Sequence, residues 1–76
     1  MSKLPSRQAA LHVLGVLKSP EGLPPGSFTT KLIEAVFAAD ISNQAKLEKG
    51  FPDEVAAVRL YTNVGEQELI KIARGK

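Results

Sequence analysis

The chain has 76 residues, 43% of them hydrophobic, 24% charged and 5% aromatic, too apolar for a disordered polypeptide and too short for two domains, so residues 1–76 read as a single small helical domain. The absence of cysteine excludes disulfides and Cys-based zinc sites and fits a reducing cytoplasm, the expected location. Ten Lys and Arg against eight Asp and Glu give a formal charge of +2, too small an excess to mark a nucleic-acid binder on its own.

That excess is uneven: residues 1–31 carry Lys3, Arg7, Lys18 and Lys31 against Glu21, while residues 32–76 are slightly acidic. No membrane span is expected, because Leu11–Leu17 is far short of the ~20 apolar residues required and contains His12 and Gly15. Lys3 and Arg7 ahead of Ala9–Leu17 look like the front of a signal peptide, but Lys18-Ser19-Pro20-Glu21 is a poor cleavage region, so export is not expected.

Strict alternation never persists, and Ala, Leu, Glu, Lys and Gln dominate the periodic segments, which predicts an all-α protein. The expected architecture is a compact bundle of four to five short helices joined by Pro/Gly turns. A first helix should run from an N-cap at Ser6 to Lys18, stopped by Ser19-Pro20. It is apolar on most sides, with Ala10, Val13, Leu14, Val16 and Leu17 in one broad arc, Gln8, His12 and Gly15 in a narrow opposite strip, and Leu11 off the main stripe.

Glu21-Gly22-Leu23-Pro24-Pro25-Gly26 reads as an extended hinge anchored by Leu23, since two prolines fix φ and two glycines favour turns. Ser27 is the expected cap of a second helix, about 28–39, in which Phe28, Leu32 and Val36 stack at i, i+4 and i+8 and Ile33 pairs with Phe37. Asp40 or Ser42 should cap a third helix ending at Lys49, with Gly50 just past its end.

Pro52, Asp53 and Glu54 suit the first turn of a fourth helix reaching Thr62, which should bury Phe51, Val55 and Val58 on one arc. A separate arc carries Ala56, Ala57, Leu60 and Tyr61. Asn63-Val64-Gly65-Glu66 combines a stop with a capping-box start, and a last helix should run to Arg74 with Leu69, Ile70, Ile72 and Ala73 inward. The expected core is Leu14, Leu17, Phe28, Leu32, Ile33, Val36, Phe37, Phe51, Val55, Val58, Leu69 and Ile72.

The residue inventory argues against an enzyme. One His and no Cys cannot begin a zinc or iron site, and His12 has no acid nearer in sequence than Glu21, across a proline, so no catalytic residue, metal or cofactor is expected. His12 reads as a partly exposed surface residue or one bonded to a loop carbonyl. The hinge lacks the glycine spacing, Lys and preceding strand of a phosphate-binding loop, so no small-molecule substrate is inferred.

Helix-turn-helix DNA binding fits poorly: the would-be recognition helix opens with Pro52, Asp53 and Glu54 and offers only Arg59 as a reader. A weak nucleic-acid alternative uses the basic N-terminal third, with Ser27, Thr29, Thr30 and Lys31 at a helix start holding a phosphate, joined by Lys3 and Arg7. Apolar arcs in excess of what five short helices can hide favour instead a protein-protein interaction module, binding another protein or a second copy through Leu11, Ala56, Ala57, Leu60 and Tyr61.

The string Pro24-Pro25-Gly26-Ser27-Phe28-Thr29-Thr30-Lys31-Leu32-Ile33-Glu34-Ala35, with Ala39-Asp40, Asn43, Leu47, Phe51-Pro52 and Val55-Ala56-Ala57-Val58, resembles short proteins of unassigned function encoded by phages of actinobacteria. The resemblance covers about residues 20–62 and carries no catalytic motif and no site residues. Pro20-Glu21-Gly22-Leu23-Pro24-Pro25 is also similar to a small mycobacterial helical family. The phage likeness implies an accessory protein made in the host cytoplasm and acting by binding a host or phage protein.

Overall fold

A computed structural model describes residues 4–75, which form five α-helices and no strand: α1 (Arg7–Val16), α2 (Ser27–Ala38), α3 (Ile41–Gly50), α4 (Pro52–Asn63) and α5 (Glu66–Ala73). The described residues span 30 × 30 × 17 Å, a flattened body two helix layers thick at the usual 8–10 Å between helix axes. The centre is α4, which packs against each of the other four helices, whereas α3 touches only α2 and α4 and buries no residue completely.

The local signals explain most helix ends. The Ser6 side chain accepts the Ala9 N–H, and Asp40 Oδ1 accepts the Asn43 N–H at 2.8 Å, satisfying first-turn donors of α1 and α3. Asp53 and Glu54 lie in the first turn of α4, where carboxylates oppose the positive end of the helix dipole. One expected cap is corrected: Gly26, not Ser27, is the N-cap of α2; α5 begins at Glu66 after Gly65, as expected, but without the side-chain bond of a capping box. Gly50 also stays helical, because its N–H can continue the ladder until Pro52 restarts the chain.

Helix α1 stops two residues before the expected Lys18. The Ser19 N–H donates to the Leu14 carbonyl and the Lys18 N–H to that of Gly15, with Lys18 itself left-handed at φ 65°. This is a Schellman turn in which lysine occupies the position that ordinarily favours glycine. At the end of α4 the Gly65 N–H reaches the Leu60 carbonyl, and Gly65 adopts φ 131° and ψ 172°, a conformation open almost only to glycine.

Leu14, Ile33, Val36, Val55, Val58 and Leu69 are fully buried and Ala73 lies inward, as expected, but the core is completed by Ala9, Ala10, Val13 and Ala57. Leu17, Leu32, Phe37, Phe51 and Ile72, expected inside, are only half-buried, and Phe28 is 67% exposed. The physical reason is close helix approach: alanines on α1, α4 and α5 bring backbones together, and the bulkier side chains move to the rim of a thin body. There Phe28 meets Phe51 with ring centroids 6.1 Å apart, and Phe37 meets Tyr61 edge-on at 5.9 Å.

Candidate functional site

The segment after α1 folds back as a strap against that helix. The Leu23 N–H donates to the Leu11 carbonyl at 3.0 Å, and Gly15 and Gly22 meet without room for a Cβ on either. The expected hydrophobic anchor is therefore corrected: Leu23 holds through its backbone while its side chain is 56% exposed. His12, on the same strip as Gly15, is half-buried.

The strap is also tied to the last helix. Arg74 donates from Nε to Glu21 Oε1 at 3.1 Å and from the terminal nitrogen to Oε2 at 2.6 Å. Those hydrogen bonds, with the guanidinium charge behind them, hold the Glu21 carboxyl below the usual carboxylate range and push Arg74 upward. Beside them Arg7 Nε donates to the Ala73 carbonyl at 2.7 Å, placing a cation at the negative end of α5.

These contacts decide what each expected site residue can do. Arg7 donates its Nε to α5 while remaining exposed, the Thr30 hydroxyl turns back onto the Pro25 carbonyl, and Lys3 lies outside the described residues. Ser27, Thr29 and Lys31 remain in the first turns of α2, with Lys31 exposed. Arg59, the sole candidate reader of a helix-turn-helix, donates to Gln44 Oε1 at 3.2 Å and to Glu48 Oε1 at 3.0 Å, while Gln44 Nε2 donates to the Val36 carbonyl at 3.1 Å. That polar chain joins α2, α3 and α4, so the arginine serves the fold.

The arc expected to dock a partner is largely internal. Ala57 is fully buried and Tyr61 packs on Phe37 of α2, while Ala56 and Leu60 are half-buried on the same central helix. Leu11, also half-buried, packs on the core and carries the strap on its carbonyl. The correction follows from the position of α4: a helix enclosed by four others spends two faces on its neighbours.

The apolar surface lies elsewhere. Leu4, Leu23, Phe28, Ile41 and Val64 are between 56% and 84% exposed. Between α2 and α3 runs an open concavity of ≈ 380 Å³ lined by Ala35, Ala38, Ala39, Asn43, Lys46 and Leu47. The sequence does carry a signal for it, three alanines at i, i+3 and i+4 on the outer side of α2, but alanine on a helix exterior is so ordinary that the spacing alone does not single it out. Among the described residues no helix is long and apolar enough to cross a membrane. No family model, curated protein or solved structure matches this chain, so function has to be argued from these residues themselves.

Proposed function

We propose that this protein is a non-enzymatic protein-binding module, a small accessory protein of the phage type that acts in the host cytoplasm by holding a host or phage protein. The observation that supports the reading best is Phe28, a large aromatic side chain left 67% exposed beside the half-buried Phe51. Exposed aromatics with a packed neighbour are the usual anchors of protein interfaces, because they bring much apolar area at little loss of side-chain freedom. Resemblance to short phage proteins supports the accessory role, and the absence of cysteine fits the cytoplasm.

The test is affinity capture with the tagged full-length chain alongside light scattering, run for the native protein and for Phe28→Asp. The reading expects a partner, or a second copy, that binds the native chain and is lost with Phe28→Asp while the melting temperature is nearly unchanged. A monomer that retains no protein, or retains the same protein after Phe28→Asp, would reject it.

A further inference from the structure

We infer that the strap Leu23-Pro24-Pro25-Gly26 is a preformed polyproline II ligand, presented to a groove lined with aromatic side chains on another protein. This contact goes beyond the Phe28 surface and does not depend on it. Pro24 and Pro25 fix their own φ at about −65° and push the residue before each, Leu23 and Pro24, into extended backbone. Gly26 continues the path at φ −67° and ψ 174°, and every peptide bond among the described residues is trans. One turn of polyproline II takes three residues, so Leu23, Pro24 and Pro25 complete one.

The fold holds the back of this turn and leaves its front free. The Leu23 N–H donates to the Leu11 carbonyl, and the Leu23 carbonyl lies against Gly15, where a Cβ would run into it. Glu21 is clamped by Arg74 on one side, and on the other the Thr30 hydroxyl donates to the Pro25 carbonyl. Outward stand the Leu23 side chain, 56% exposed, and the exposed Pro24, whose carbonyl accepts no hydrogen bond among the described residues. Packing does not account for the pair: Leu23 is the bulkiest apolar side chain of the strap, and the fold turns it to solvent with Pro24. An aromatic groove reads such a pair, its rings packing on Leu and Pro while a Trp or Tyr donor takes the carbonyl. Because the strap is already ordered, binding forfeits little chain entropy. A second copy is the wrong occupant. A proline held between two rings keeps them about 7–8 Å apart, whereas Phe28 with Phe51 and Phe37 with Tyr61 stand at 6.1 and 5.9 Å, and the chain has no Trp.

The probes are a panel of isolated WW domains, whose aromatic grooves bind polyproline II segments, each with a twin in which the groove Trp is replaced by Ala. Each is titrated into isotopically labelled full-length protein and followed by the amide shifts of Gly22, Leu23 and Gly26 and the carbon shifts of Pro24 and Pro25. The inference expects at least one intact domain to move these signals saturably and its Ala twin not to. Pro24→Ala and Leu23→Ser should each weaken that binding about tenfold with the helix amide shifts unchanged, and Phe28→Asp should leave it as it was. Leu23→Ser keeps the bond to Leu11, which uses the backbone, and so reads the exposed side chain even where Pro24→Ala loosens the strap. Binding by no domain of the panel, equal binding by intact domains and their Ala twins, shifts centred away from the strap, or undiminished binding of Leu23→Ser would overturn it. Partner capture lost with Phe28→Asp but untouched by Leu23→Ser and Pro24→Ala would also overturn this inference while leaving the broader function standing.

Discussion

Gly15 in the last turns of α1 and Gly22 in the strap meet backbone to backbone: a Cβ on Gly22 would run into the Gly15 amide, and one on Gly15 into the Leu23 carbonyl. A glycine inside an exposed helix normally costs about 0.5–1 kcal/mol relative to alanine. At this crossing the sign reverses, because the obstacle is backbone that cannot rotate aside. Gly15→Ala and Gly22→Ala should each destabilise the fold by about 2–3 kcal/mol, read as a lower urea midpoint by circular dichroism. A small domain without disulfides has on the order of 3–5 kcal/mol to lose, so either change should leave a substantial unfolded fraction. A gain in stability from Gly15→Ala would mean the strap does not close on α1.

Lys18 and Gly65 form a matched test of backbone conformation. Lys18 is left-handed at φ 65°, so Lys18→Gly should stabilise the protein by up to about 1 kcal/mol, the relief of side-chain crowding less the added freedom of the unfolded chain. Gly65, at φ 131° and ψ 172°, has open space around it, so Gly65→Ala isolates backbone strain and should cost about 1–3 kcal/mol. Thermal unfolding of the two variants should move in opposite directions.

The Glu21 and Arg74 pair makes stability depend on acid. Glu21 has its carboxyl lowered in the fold, so the stabilisation is complete above the ordinary carboxylate range and fades as pH falls through and below it. Melting temperatures of the native chain and Arg74→Gln should differ at neutral pH, with the native chain higher, and converge in acid. The pair is solvent-exposed, so raising salt at neutral pH should shrink the same difference. A difference that persists unchanged at low pH would assign it to packing of the Arg74 stem.

Helix placement was legible in the sequence because proline, glycine and the short polar caps act locally: Ser6, Asp40, Pro52 and Gly65 mark boundaries wherever the helices later pack. Core membership was less legible. Ranking side chains by apolar bulk favours Phe28 and Phe51, yet Ala9, Ala10, Ala57 and Ala73 are buried in their place. Inter-helix distance sets that choice, and it depends on which faces meet, information that a helical period does not hold. The same gap hid the site. Ala56, Ala57, Leu60 and Tyr61 form a surface only if α4 is peripheral, and the strap covers Leu11 only because Gly15 and Gly22 permit the crossing.

Arg59 separates a structural role from a nucleic-acid one. Its bonds to Gln44 and Glu48 are partly exposed, so Arg59→Ala should cost about 1 kcal/mol, and a double-mutant cycle with Gln44→Ala should return a coupling of about 0.5–1 kcal/mol. Retention of the chain on immobilised duplex DNA at low salt should not change with this variant. Coupling near zero together with lost DNA retention would restore Arg59 as a reader of bases.

Phe28 and Ile33 lie five residues apart on α2 and should respond in opposite ways to truncation. Ile33 is fully buried, so Ile33→Ala removes apolar contacts and leaves a cavity, a loss of about 2–5 kcal/mol that should unfold most of the protein. Phe28 is 67% exposed and loses a tilted ring contact with Phe51, so Phe28→Ser should cost within about 1 kcal/mol. A residue kept for stability would show the larger loss. One kept for contact with a partner would show little change in the urea midpoint and a large change in binding. Side-by-side denaturation and capture of the two variants therefore reads Phe28 directly: a loss above about 2 kcal/mol would return it to the core, and intact capture would remove it from the interface.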